Sequence, residues 1–526
     1  LSSVARTNPG FRGSERAVPA SPFARVLGFG SLAARLAAGT VAEKAAGFFS
    51  GGGDGSASGA PADAGPRKSS FLSPKNMERL VEGLCRMRGA ALKIGQMLSI
   101  QDESLLSPEL AAVMARVRQG ADVMPRAQLE AQMAAEFGGP GWRARVFAEF
   151  EDAPIAAASI GQVHRAALPS GALVAVKVQY PGVARSINSD IDNLTKLLTM
   201  VSLTPKGLYL DQAMSSAKTE LTLECNYAYE ADAQEHFRML VDAEPALAGR
   251  VSVPRVFREA STARVLTTEL VRGVPVDKIV LKGPAGAITP AVAAESGLSG
   301  SGFKDEAVQA RAAAAGAGAG VLPAHVTLTQ QQRDALGTLL MRVTLRELFT
   351  WRFMQTDPNW SNFLYDPIDN KVHLIDFGAS RRYKKAFVDE YLRMVRACGA
   401  GDDAAIIDAS IKIGFLTGDE TKEMVENHVA TAKIIGEPFG HKGPYDFVVG
   451  NIAARVAPRA GEMAHSRLAP PPMEAYTLHR KLAGAFLTLR RLGAVVDVGK
   501  LFTEITGTYV YGPESAEEEE ISRRFK

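Results

Sequence analysis

Three short runs, in a fixed order along the chain, most constrain what it can fold into. Val174-Ala175-Val176-Lys177 reads as a β-branched strand that ends on a lysine. Much later, Asp357-Pro358-Asn359-Trp360-Ser361-Asn362 sets a carboxylate and an amide in a D-x4-N spacing. Fourteen residues beyond Asn362 lies Asp376, in Leu374-Ile375-Asp376-Phe377-Gly378, an apolar strand running into Asp-Phe-Gly. Together they describe phosphate chemistry. Lys177 would hold the α and β phosphates of ATP, Asp357 would receive or orient a proton, and Asn362 and Asp376 would bind a Mg²⁺ that bridges the phosphates. Each run also has a plainer reading: an edge strand ending in Lys, an Asp-Pro turn, an Asn that caps a helix, a strand entering a turn. Order and spacing together outweigh these and make ATP and Mg²⁺ the expected cofactors.

A nucleotide loop precedes the lysine strand. Ala156-Ala157-Ala158-Ser159-Ile160-Gly161-Gln162-Val163 overlays the G-x-G-x-x-G-x-V template, with Ala156 and Ala158 in place of the first two glycines. Alanine restricts positive φ and close backbone approach, so a stiffer loop and a different nucleotide pose are expected. The candidate nucleotide-binding set is Ala156, Ala157, Ala158, Ser159, Gly161, Val163 and Lys177, with Glu269 and Val271 where the β-rich run Arg264 to Leu270 ends. Glu224 and Glu230 are the candidate helix carboxylates for Lys177. Six residues apart on a helix, they face different directions, and Glu224 is the expected partner. On an earlier helix, Lys93 and Gln96 of Lys93-Ile94-Gly95-Gln96 share one face. Taken alone, that run is an ordinary exposed helix patch.

The rest of the chain divides around these motifs. Residues 1–70 hold an Arg-, Ser-, Ala- and Pro-rich start with Glu15 its only acid up to residue 25, then Val26 to Phe49, then a Gly/Ala/Ser/Pro linker from Gly51 to Ser70. The start reads as what is left of an organelle transit peptide or as a disordered tail, and a chain that opens on Leu1 is expected to lack its natural start. Val26 to Phe49 is broken by Arg35, Glu43 and Lys44, which argues against a spanning helix and leaves a helix on a membrane surface as an alternative. Residues 71–146 read as a helical extension, opening at Ser73-Pro74 and restarting at Ser107-Pro108-Glu109. Residues 147–280 read as a small lobe of β-rich runs with a long helical stretch, and 281–326 as a low-complexity insertion from Gly283 to Ala324. Residues 327–512 read as a larger helical lobe, and 513–526 as an acidic, solvated tail. A net charge of +3 gives no case for nucleic acid. The scattered Cys85, Cys225 and Cys398 point to a reducing compartment.

These residues resemble the UbiB, or aarF-domain, family of atypical kinases, specifically its mitochondrial coenzyme Q branch. Ala91 to Asp102 resembles that family's KxGQ motif, Ala156 to His164 its alanine-rich loop, and Glu224-Cys-Asn-Tyr its Glu-Cys-Asp-Tyr signature. Met354 to Phe363 resembles the catalytic loop of its eukaryotic branch, and the similarity covers about residues 14 to 48 and 72 to 510 outside the insertion. The resemblance implies an α+β, protein-kinase-like bilobal fold, with a helical extension that carries KxGQ over the active site. It gives Lys93 and Gln96 a place facing the nucleotide pocket and makes Glu224 a partner of Lys177 and Lys93. It implies ATP hydrolysis, or phosphorylation of a lipid-like or quinone-precursor ligand, in support of coenzyme Q biosynthesis. Its partners would be other proteins of that pathway, and its place the mitochondrion, peripheral on the matrix side of the inner membrane, with a plastid as the alternative. Ordinary protein phosphorylation is disfavoured, and no A-P-E follows the DFG. Asn226 stands where the family has aspartate, and the insertion looks private to this chain. An anionic lipid surface would meet Val26 to Phe49 and the basic helix from His479 to Leu492, through Arg480, Lys481, Arg490 and Arg491. The rival readings are an ATP-binding scaffold without turnover and a small-molecule kinase of the aminoglycoside type.

Overall fold

Every second residue of Leu173–Gln179 is a valine, and Val174, Val176 and Val178 are fully buried while Lys177 lies on the opposite face. This strand, β3, sits inside an antiparallel sheet in the order β1-β2-β3-β4, with β1 Glu149–Ala157, β2 Gly161–Ala167 and β4 Val265–Glu269. Val163 and Leu266 flank Lys177 in register. The computed structural model describes residues 25, 27–39, 76, 78–79, 81–83, 123–158, 160–200, 210–280, 326–357, 359–469 and 471–525. The Gly51–Ser70 linker, the helix starts at Ser73 and Ser107, Cys85, Lys93 to Gln96, Ser159 and the Gly283–Ala324 insertion lie outside the described residues.

The expected long helical stretch is interrupted. After α1 (Arg126–Glu136) come α2 (Val183–Met200), α3 (Leu210–Glu224) and α4 (Tyr227–Asp242). The break between α3 and α4 has a local cause: the Asn226 side chain accepts the Tyr229 amide at 3.1 Å and so caps a new helix. An aspartate there could accept the same bond, which gives this position a role that either residue fills. α4 joins two cores. Tyr227 and Ala231 pack with the sheet lobe, and Ala233, Phe237 and Val241 with the helical lobe.

In the helical lobe, β7 (Phe363–Asp366) pairs antiparallel with β5 (Val274–Pro275) and β8 (Lys371–Leu374), and β8 pairs parallel with Val251–Ser252. A second ribbon joins β6 (Phe353–Gln355) to β9 (Ser380–Arg382). Around them pack α5 (Gln330–Leu345), α6 (Lys385–Ala400) and α7 (Met473–Leu492), and α8 (Ala516–Arg524) closes the chain. The architecture is the expected α+β bilobal one.

Three expectations change. Residues 27–39 are helical, but Phe29, Leu32 and Leu36 are buried with Val81 in the core of the sheet lobe, so the stripe read as membrane-facing is covered by protein. In α7, Arg480 and Lys481 are buried and face protein, while Arg490 and Arg491 are exposed. The acidic tail is a docked helix: Ser515 and Glu518 form a capping box, and Glu514 and Glu518 pair with the buried Arg352. Charge and composition suggested a lipid surface in the first two cases and solvent in the third, because the partners lie far away in sequence. Among the described residues no helix is long and apolar enough to cross a membrane.

Candidate active site

β3 delivers Lys177 into the cleft between the lobes, and α4 delivers its partner. The ammonium donates to both oxygens of Glu230, at 2.7 and 3.0 Å, and lies 3.6 Å from Asp376. The partner is therefore Glu230 and not Glu224, the expected choice. Asn226 starts a new helix between them, which leaves Glu230 one turn inside α4, 2% exposed and aimed at β3, while Glu224 is the last residue of α3. Glu224 is still at the site. A Cβ placed on Gly378 would lie 3.4 Å from Glu230 Oε2 and 3.5 Å from the Glu224 Cγ. Tyr227 lies beneath the ammonium, its ring 5.2 Å away.

One ammonium thus faces more than one carboxylate. Burial pulls the Lys177 pKa down, but Asp376 and Glu230 more than offset this and hold it well above its ordinary value. Burial pushes Glu230 up to about 7, Asp376 adds to that, and Lys177 opposes it. The two partners move up for different reasons: burial above all raises Glu230, with Asp376 adding to it, while the two carboxylates together raise Lys177.

The alanine-rich loop crosses from β1 to β2. Ala156 and Ala157 end β1, the Ala158 amide bonds the Gly161 carbonyl at 2.8 Å, and the Tyr180 amide bonds the Ile160 carbonyl at 2.9 Å. Gly161 has no room for a side chain: a Cβ would sit 2.5 Å from the Val178 carbonyl and 2.9 Å from the Tyr227 hydroxyl. Beside it, the buried Gln162 accepts the Met124 amide and contacts His164, whose pKa burial lowers to about 4. Glu269 ends β4 and accepts the Arg255 amide at 3.3 Å, and Val271 lies in the connection from β4 to β5 that joins the lobes.

Across the cleft, the Asp357 carboxylate accepts the Asn359 amide at 3.2 Å, so a bond to the backbone two residues on orients it. Asn359 caps the short helix Trp360–Asn362. The Asn362 carbonyl accepts the Ile375 amide at 3.0 Å, which sets Asn362 beside Asp376. Among the described residues, the buried side-chain nitrogen of Asn362 has no hydrogen-bond partner. Asp376 holds φ at 64°, a left-handed conformation that costs a non-glycine residue about 1–2 kcal/mol. Its carbonyl is held by the Gln355 side chain at 3.2 Å, and Gln355 is held in turn by Lys481 at 3.3 Å. Beside it, Arg480 donates to Glu220 at 2.9 Å. Burial opposes the Arg480 charge, but Glu220 and, more weakly, Asp357 keep its pKa above the ordinary guanidinium value.

Gln355, Arg480, Lys481 and Tyr227 were not among the expected site residues. For Lys481 a signal exists: it falls three residues after Leu478 and beside Leu482, on the apolar stripe of α7. The hard oxygen donors Asp376 and Asn362 fit Mg²⁺, which commonly takes one or two carboxylates and completes its shell with phosphates and water. Lys93 and Gln96 lie outside the described residues.

The ABC1 atypical kinase-like domain matches residues 116–410. The chain is 42% identical over 501 residues to "Atypical kinase COQ8B, mitochondrial" of Rattus norvegicus, covering 95% of this chain and 83% of that one. To the protein of the same name in Danio rerio it is 40% identical over 498 residues, covering 95% and 70%. To "Atypical kinase COQ8, mitochondrial" of Saccharomyces cerevisiae it is 37% identical over 492 residues, covering 93% and 85%. With more than half its length matched, and with Lys177, Glu230, Asn362 and Asp376 gathered in one cleft, the chain belongs to the ABC1 atypical kinase-like family.

Proposed function

We propose that the chain uses Mg-ATP, hydrolysing it or transferring its terminal phosphoryl group to a small or lipid-like acceptor, in support of coenzyme Q biosynthesis. The observation that carries this is the Lys177–Glu230 pair 3.6 Å from Asp376, with Asn362 beside it across the cleft. Lys177 holds the α and β phosphates, and the backbone of Ala156 to Gly161 covers them. Asn362 and Asp376 hold Mg²⁺, which supplies charge neutralisation when bound. Asp357, oriented by the Asn359 amide, positions the attacking hydroxyl or water. Catalysis is then mainly positioning and electrostatic stabilisation. The names of the relatives support a mitochondrial place of action, which we assign to the matrix side of the inner membrane, with other coenzyme Q biosynthesis proteins as partners.

The test is Mg-dependent ATP turnover of the purified protein. Asp376→Asn should lower kcat by roughly 10²–10³-fold. Unchanged turnover would overturn the assignment. A Lys177→Ala protein that binds no nucleotide and still supports quinone synthesis in cells would overturn the link between the site and the pathway.

A further inference from the structure

We propose that the C-terminal segment 514–525 is a strap that positions α4, and through it holds Glu230 on Lys177, with Phe525 and Arg352 as the positioning residues. This rests on the reading of Lys177 as the phosphate-holding group.

The strap has two anchors. At one end Arg352, buried on the approach to β6, pairs with Glu514 at 2.7 Å and with Glu518. The Lys385 amide donates to Glu514 at 3.2 Å, and Arg382 of β9 donates to the Glu518 carbonyl at 3.2 Å. At the other end Phe525 is buried against α4. Its ring lies 5.0 Å from that of His236 and 6.0 Å from that of Tyr229, seven residues apart on one face of the helix. Tyr229 immediately precedes Glu230, and its hydroxyl donates to the Ser380 carbonyl of β9 at 2.7 Å. Arg524 adds a contact to Asp232 of α4 at 3.8 Å.

From Phe525 the aromatic contacts continue inward. Phe525 meets Phe353 at 4.6 Å, Phe353 meets Phe237 at 5.0 Å, and Phe237 meets Phe377 of the Asp-Phe-Gly run at 4.9 Å. The last side chain of the described chain is thus packed in series with the residue that follows Asp376. Arg352 also holds φ at 50°, a conformation disfavoured for a residue with a Cβ. Such strain persists where the surroundings fix it, and here Glu514 and Glu518 of the strap are among those that do. The anchors lie on the strands that enter and leave the catalytic block, and the aromatic lies on the helix that carries the lysine's partner. A segment so placed sets the angle of α4.

The experiment compares the full chain with Phe525→Ala, with Phe525→Leu, and with a chain ending at Gly512. It reads amide hydrogen exchange of residues 227–242 and affinity for a fluorescent ATP analogue with Mg²⁺. If the aligned α4 falls to a tenth of the population, nucleotide affinity falls about tenfold. Phe525→Ala and the shortened chain should show that loss, with faster exchange in α4 and unchanged exchange in α2. Phe525→Leu should recover most of it, and a peptide of residues 513–526 added in trans should restore the shortened chain. Glu520→Ala, on the exposed face of α8, should change nothing. Faster exchange in α4 with unchanged nucleotide affinity would overturn the proposal, as would a shortened chain that the peptide cannot restore. A wild-type protein without ATP turnover, but with the exchange and affinity differences intact, would overturn the function proposed above and leave the strap standing.

Discussion

Arg25–Asp190 and Lys177–Glu230 are both buried charge pairs of the sheet lobe, and one is closed where the other is left open. Arg25 reaches the Asp190 carboxylate through Nε at 2.7 and 2.8 Å and through a second nitrogen at 2.6 Å, and the Ser186 hydroxyl donates a further bond at 3.0 Å. Among the ion pairs of the described residues, one cation meets one anion here, and neither is exposed by more than 1%. At Lys177 one ammonium meets Glu230 and Asp376, and its side chain is 15% exposed. The first arrangement has no work left to do beyond holding residues 27–39 to the lobe. The second is short of positive charge and open to the cleft, which is what a site for a metal-bound polyphosphate requires.

The comparison breaks most easily at the closed pair. Arg25→Ala strands a buried carboxylate and should cost about 3–5 kcal/mol in urea unfolding, while turnover per folded molecule stays near wild type. Replacing Arg25 and Asp190 together by Met and Leu should recover most of the loss. If the single variant is no less stable than wild type, the pair is not structural.

The open pair is tested next by pH. Glu230 titrates near 7 in the fold against 4.5 unfolded, so the folded state binds more protons between those values. Stability of the nucleotide-free protein should fall as pH rises from about 4.5 to 7, and nucleotide affinity should rise over the same window as the carboxylate becomes available to Lys177. Glu230→Gln should flatten both profiles. A binding profile that falls towards pH 7 would contradict the charge surplus.

A smaller effect follows at Asp376. Asp376→Asn removes a repulsion on Glu230 and an attraction on Lys177 together, so nucleotide-free stability should change by less than about 1 kcal/mol while kcat falls roughly 10²–10³-fold. A larger loss of stability would mean that the attraction to Lys177 outweighs the repulsion on Glu230, and the distinction between closed and open would fail. Smallest of all, Glu518→Ala at the margin of the Arg352 pair should cost under about 1 kcal/mol, and less in high salt.

Much of this site was legible because its chemistry recurs at fixed intervals: a lysine at a strand end, D-x4-N, then Asp-Phe-Gly. Local rules carried β3 and β4 almost to their observed bounds. The choice between Glu224 and Glu230 was misread because it turns on a helix break two residues wide. Asn226 was the sign of it, and an asparagine before a helix is a cap as readily as a substitution. Arg480 and Lys481 were misread for a different reason. Basic residues on a helix are usually solvated, and these are buried only because Glu220, Gln355 and Glu347 come to meet them, with Arg480 separated from Glu220 by 260 positions. Of the acidic residues near the C-terminus, Glu514 and Glu518 fail in the same way, their cation being Arg352, while Glu519 and Glu520 are exposed as expected.

α4 carries one further consequence. Because its first turn belongs to the core of one lobe and its later turns to the core of the other, neither lobe can melt without exposing part of the same helix. Thermal unfolding should therefore run as a single transition, with the two lobes losing structure together. The shared helix also works as a torsion bar. A twist imposed at its Asp242 end, far from any nucleotide, is delivered one rod-length away to the carboxylate on Lys177.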